Sequence, residues 1–264
     1  MSAMSFLPLV PANRAIDLAK AAGFDGIEIM SSSWTRDKFG EYIRKAEKLG
    51  MCVHAHQPWS YAESNAPDAK AWLAEKVGYL PCGSYSLHGC MPKERLPKIV
   101  YADRIMETQQ SLDYWFQTCP VRFEGMHKIY LDDFMHRWQE NPNPICFDFQ
   151  HYLEWSTGTT MTPRNFLGMS PGKMEKMLVE GFEFFHPHVK EIHLTDSRPE
   201  LGLKGLNVLT GSGVLPLKEV CKHIVSMGWT GYVVPEVTPK LGSLILNRKG
   251  YAAHMLESAR NLFS

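Results

Sequence analysis

Apolar residues return along this chain in two alternating rhythms. The stretches NRAIDLAKAAG (13–23), FGEYIRKAEKLG (39–50) and LKEVCKHIVSMG (217–228) carry apolar positions at helical spacing with charges between them, as a helix with one buried face requires. Each ends at a glycine, Gly23, Gly50 or Gly228, and passes directly into a short apolar run: GFDGIEIM, GMCVHAH and GWTGYVVPEV. Glycine suits the left-handed position just past a helix end because it has no Cβ to clash there. The spacing therefore predicts three helix–glycine–strand units. Further short apolar runs extend the series: SYSLHG (84–89), PVRFEG (120–125), ICFDF (145–149) and VKEIHL (189–194).

Short apolar strands alternating with helices read as βα units on a parallel sheet covered on both faces. An opening strand near SFLPLV (5–10) brings the expected count to eight, in a chain of 264 residues. That is the size of a TIM barrel. The expected fold is α/β, a single (β/α)8 TIM barrel with parallel strands, forming one domain over 1–264. A doubly wound sheet is the competitor, but no GxGxxG follows the first strand.

Such a barrel keeps its active site at the C-terminal ends of its strands. Polar residues gather there. The expected strand ends carry Glu28; His54 and His56; His88; Glu124; Asp148 with His151 just beyond; His193 followed by Asp196; and Glu236. One strand-end acid or imidazole most often caps a helix or meets solvent, and Glu28 reads equally well as the partner of a nearby base. Recurrence at the same end of strand after strand is what carries weight. Crowded carboxylates repel and raise one another's pKa, and a divalent cation relieves that repulsion. Mixed carboxylate and imidazole ligands suit Mn, Co, Zn, Ni or Fe. The expectation is one divalent metal ion held by Glu124, Asp148, His193 and Glu236, with His56, His88 and His151 binding substrate.

Composition narrows the partners. Lys+Arg and Asp+Glu are each 28, so net charge is zero and no basic surplus favours nucleic acid. The six cysteines are scattered without a CxxC pair and read as buried free thiols. The N-terminus lacks a basic region followed by a long apolar core, and no window reaches the ~18 apolar residues of a membrane span. The expectation is a cytoplasmic protein with no membrane partner. Long stretches follow three strands: QPWSYAESN (57–65), residues 151–176 and residues 197–213. Loops of that length commonly serve as lids. Trp59, Tyr152 and Trp155 within them suit either polyol recognition or pinning of the loops to the barrel rim. Gly211-Ser-Gly213 before a helix could offer amides to an anion, although a structural turn is the favoured reading.

Taken in order, GFDGIEI, LGMCVHAH, FEG, DFQH, VKEIHLTDS, GSGVLPLKEV and GYVVPEV resemble the xylose-isomerase-like TIM barrel superfamily over nearly the whole chain. That group includes sugar isomerases, ketose 3-epimerases, inosose and dehydroshikimate dehydratases and endonuclease-IV-type enzymes. The resemblance implies a metal-dependent sugar or sugar-phosphate isomerase or epimerase. It implies that Glu124 and Glu236 exchange a proton alpha to a carbonyl through an enediolate, and that His151 binds a substrate oxygen. Arg198 would reach a hydroxyl or carboxylate, at an offset from His193 one residue different from the epimerase pattern. The partner would be a small-molecule sugar or polyol. Homo-oligomers occur in the superfamily, and no interface stripe is legible here.

Three alternatives remain. Loss of a β-hydroxyl on the same site would make the chain a dehydratase. A trinuclear zinc endonuclease would need an Asp-x-His before the G-x-G of the 197–213 loop, where Gly205 and Asn207 stand instead. A non-catalytic sugar-binding barrel would show an eroded ligand set, and all four expected metal positions are present.

Overall fold

The computed structural model describes residues 11–30, 36–56, 84–88, 113–118, 131–140, 142, 144–158, 163–238 and 247–264. Among the described residues, seven strands form one parallel sheet in chain order: β1 (Gly26–Met30), β2 (Cys52–His56), β3 (Ser84–His88), β4 (Asp113–Gln117), β5 (Ile145–Asp148), β6 (Val189–Leu194) and β7 (Tyr232–Pro235). The described helices are α1 (Ala12–Ala22), α2 (Arg36–Lys48), α3 (Leu131–Glu140), α4 (Phe149–Thr157), α5 (Pro171–Phe185), α6 (Leu217–Ser226) and α7 (Arg248–Arg260). No helix among the described residues is long and apolar enough to cross a membrane. The expected opening strand at 5–10 lies outside the described residues.

The helix–glycine–strand units form as their pattern requires. Gly23, Gly50 and Gly228 take φ of 92°, 64° and 73°, the left-handed region in which a Cβ is costly. The sheet is curled. Glu28 on β1 touches His193 on β6 at 3.0 Å, although four strands separate β1 from β6 in the sheet order. A flat sheet would hold those strands roughly 24 Å apart at the usual strand spacing. The inner side chains therefore meet across an enclosed interior.

One strand departs from the sequence reading. The place between β3 and β5 is filled by Asp113–Gln117, which pairs Ser84 with Asp113 on one side and Phe116 with Ile145 on the other. PVRFEG (120–125), the stretch expected there, lies outside the described residues. Tyr114, Trp115 and Phe116 are strong strand formers, which suits this segment to the place.

The outer face of β5 and β6 packs against helices. Phe147 is fully buried, with ring centroids 4.9 Å from Tyr152, 5.6 Å from Phe182 and 5.8 Å from Phe149. Gly181 on α5 exists because a Cβ there would collide with the Tyr152 ring. Phe147→Ala should lower the unfolding free energy by about 3–5 kcal/mol, seen as a lower urea midpoint at unchanged slope. A shift below 1 kcal/mol would mean that this cluster is not the seat of the core.

Candidate functional site

The pleat puts alternate residues on opposite faces. Phe147 and Ile192 face the helices, and the register aligns Cys146 with Glu191 and Asp148 with His193 on the inner face. All four inner residues are fully buried.

Asp148 explains the acid at the end of an apolar strand. It is the N-cap of α4, where its Oδ1 accepts the His151 amide at 2.8 Å. The same oxygen accepts the Thr195 hydroxyl at 3.2 Å, and the Asp148 amide donates to the Thr118 hydroxyl at 3.0 Å. Oδ2 is left facing His193 Nδ1 at 3.5 Å. Burial pushes the carboxyl's pKa up, but the charge of His151 and the hydrogen bond and charge of His193 outweigh it, holding the group at about 2. Asp148 is therefore ionised.

His193 stands at the centre of the cluster. Its Nδ1 lies 3.5 Å from Asp148 Oδ2 and 3.2 Å from Glu236 Oε2; its Nε2 lies 3.0 Å from Glu28 Oε2 and 3.2 Å from Glu191 Oε1. Burial disfavours a charged ring, but Cys146, Glu28 and Asp148 more than offset this, so its pKa stands well above the ordinary imidazole value. Cys146 is driven upward by burial and stays a thiol.

The charges around His193 do not balance. Glu28, Asp148, Glu191 and Glu236 are all buried, and among the described residues no Lys or Arg is buried with them. Two imidazoles, His151 and His193, face five carboxylates once Glu154, the buried partner of His151, is counted. Buried charge on that scale demands a counter-ion. One oxygen each from Asp148 and Glu236 and one nitrogen of His193 lie within 4.8 Å of one another. That donor set fits a divalent transition metal.

His151 sits in the first turn of α4, 6% exposed, with Nδ1 2.8 Å from Glu154 Oε2. Glu154 is itself buried and accepts from Gln150 Nε2 at 3.2 Å. Burial lowers the pKa of His151, but Asp148 and Glu154 raise it further, to about 9. With Nδ1 occupied by Glu154, a protonated His151 has Nε2–H left to offer a ligand.

The loop after β6 answers the question of an anion site. The amides of Gly211 and Gly213 donate to Asp196 Oδ2 at 2.9 and 2.8 Å, and those of Ser197 and Leu215 donate to Oδ1 at 2.8 and 3.2 Å. The anion in this nest is the chain's own side chain. Asp196 thus leaves the row of strand-end acids. Arg198 serves the same loop, its Nε donating to the Ser212 carbonyl at 2.7 Å and its amide to Gly205 O at 2.9 Å.

The structure brings together Asp148, His193 and Glu236 with His151 close by. His56 and His88 are the last residues of β2 and β3, and their side chains fall outside the description. Trp59 and Glu124 lie outside the described residues. At the end of β4, the residue delivered beside Asp148 is Thr118, fully buried. The expected loop at 151–176 begins as helix α4, and ends as the first turns of α5, with a 3₁₀ turn at Pro163–Phe166 between them. Tyr152 and Trp155, 5% and 3% exposed, belong to its core face rather than to a substrate surface. Glu191 and Glu154 were missed by the sequence reading. Glu191 was detectable as the residue two before His193, hence on the same face of the strand.

The chain matches no protein-family model and no curated protein sequence. Solved structures do share its fold. D-psicose 3-epimerase from Clostridium cellulolyticum H10, with D-tagatose, gives a TM-score of 0.64 at 14% identity, over 97% of this chain and 94% of that one. A 3-keto-D-glucoside 4-epimerase from E. coli gives 0.60 at 13% identity, over 99% and 97%. A xylose isomerase-like TIM barrel fused to a 4-hydroxyphenylpyruvate dioxygenase gives 0.66 at 13% identity, over 99% of this chain and 42% of the fusion. Likeness at such identities speaks for architecture. The chain shares its fold with these structures, a xylose isomerase-like TIM barrel among them.

Proposed function

We propose that the chain is a divalent-metal-dependent sugar isomerase or epimerase working by proton transfer alpha to a carbonyl. The observation that carries this reading is the convergence of Asp148, His193 and Glu236 at the ends of three successive strands. Sugar epimerases among the structures of like fold support the substrate class. Asp148, His193 and Glu236, with Glu124 as fourth ligand, would hold a divalent ion, which would supply Lewis-acid chemistry for a carbonyl oxygen and its neighbouring hydroxyl.

The chain's own residues do the rest. Glu236 takes the proton from the carbon beside the carbonyl, and Glu124 returns one from the opposite face. His151, oriented by Glu154, donates to a substrate oxygen. His56, His88, Trp59 and Arg198 are assigned to substrate contact. Burial of the site excludes water and strengthens each of these interactions.

The test has two readings. Protein purified without chelators or a histidine tag should carry about one equivalent of Mn, Co, Ni, Zn or Fe. The loaded protein, incubated with a panel of ketoses in deuterated water, should exchange hydrogen at a carbon next to the carbonyl. Absence of metal after loading with Mn or Co, or metal without exchange on any ketose, would overturn the assignment.

A further inference from the structure

His193 has carboxylates on both sides, and the two sides differ. The Nδ1 side holds Asp148 and Glu236 at the strand ends, with Glu236 5% exposed and His151 beside it at 6%. The Nε2 side holds Glu28 and Glu191, sealed at 1% and 0%, and Cys146, aligned with Glu191 across the sheet, is sealed at 0%. Cys146, Glu191 and His193 could also collect an ion, since their donor atoms lie within 4.8 Å of one another. One neutral imidazole cannot serve both sides as a ligand: it has one lone pair and one N–H.

Access and hydrogen bonding decide between them. An ion that must meet a substrate belongs on the side nearest the mouth, which is Nδ1. Nε2 then keeps its proton, and the group placed to accept it is Glu28, at 3.0 Å with hydrogen-bond geometry. Glu28 comes from β1, an otherwise apolar strand, GIEIM, and its side chain is wholly buried against the ring. A carboxylate behind a metal-bound imidazole fixes the tautomer, orients the ring and raises its basicity.

We infer that Glu28 is a positioning residue for the metal centre: it takes the Nε2–H of His193 and so presents the Nδ1 lone pair to the ion held with Asp148 and Glu236. This rests on the metal-binding reading above. Glu28 touches neither ion nor substrate. Its effect passes through His193.

The test uses the full chain and Zn(II) or Co(II) as probe. Nitrogen-15 spectra of the zinc-loaded protein should show His193 carrying metal on Nδ1 and a proton on Nε2. Glu28→Gln should bind Zn(II) about 10–100-fold more weakly by competition titration, in protein whose far-ultraviolet circular dichroism matches the unmodified chain, with partial rescue in Glu28→Asp. Metal on Nε2, or a thiolate-to-metal charge-transfer band from Cys146 in the cobalt form, would overturn the inference, as would an unaltered affinity in Glu28→Gln. These results need no substrate. If the unmodified protein binds neither ion, the metal reading itself falls, and that is seen before any variant is compared. The spectra of the unmodified protein decide the matter even if a variant does not fold.

Discussion

Glu236→Gln is expected to lower turnover by about 10²–10⁴-fold while leaving the fold intact, the usual loss when a general acid or base is removed. Glu236 follows β7, its amide bonded to Leu194 O at 3.3 Å and its Oε2 3.2 Å from His193 Nδ1. Glutamine has nearly the same shape, so packing is kept, but it cannot accept a proton at neutral pH and gives up one negative charge. The sign of the stability change should depend on metal. In the metal-free protein, one of four crowded buried carboxylates has gone and repulsion falls, so the unfolding midpoint should hold or rise. The gain in midpoint on adding Mn or Co should shrink, because a ligand stabilises only in proportion to its binding. Turnover and metal titration check the two halves separately. Full activity on an identified ketose would remove Glu236 from the proton-transfer step.

Asp196→Ala is expected to lower the unfolding free energy by about 3–5 kcal/mol without touching the metal donors. Four amides, those of Ser197, Gly211, Gly213 and Leu215, converge on this one carboxylate. Alanine leaves all four without their acceptor. Each buried amide so stranded costs about 1–3 kcal/mol, reduced where water reaches the loop. Gly213→Ala should act in the same direction, since a Cβ there would collide with the Asp196 carboxylate and the Ser197 carbonyl. Urea unfolding measures both variants. A loss under 1 kcal/mol for Asp196→Ala would show that the loop finds another partner for its amides. Inorganic phosphate should not stabilise the unmodified protein through this nest, because its donors are already committed.

Much of this architecture could be read from the chain because β1, β2, β5, β6 and β7 are short strands rich in apolar residues, three of them entered through a helix-ending glycine. β4 could not. Its sequence, DYWFQ, hides its identity in aromatic bulk that fits a loop as well. Thr118 follows the end of β4, and Glu124 lies outside the described residues. The helical start of the 151–176 segment was obscured because Asp148 was weighed as a ligand, when it is a helix cap as well. Its two oxygens serve separate ends: one closes α4 and the other faces His193. Asp148, His193 and Glu236 were legible because a carboxylate or imidazole closing an apolar strand is conspicuous. Glu191 was not, because a carboxylate one pleat deeper than a strand end meets no expectation about the mouth of a barrel. Only the neighbourhood of His193 gives it a reason to be there.

The contact between Glu28 and His193 spans 165 residues of sequence. Asp148, His193 and Glu236 lie far closer to one another along the chain, on neighbouring strands β5, β6 and β7. A pair so distant forms late, since its loop must close before the contact contributes anything. During synthesis, β1 emerges long before β6 and carries an acid whose partner, His193, is made 165 residues later. The C-terminal wall can gather its three donors beforehand. The ring between them becomes fixed when the two ends of the sheet arrive within reach, so tight ion uptake should mark a chain that has finished folding.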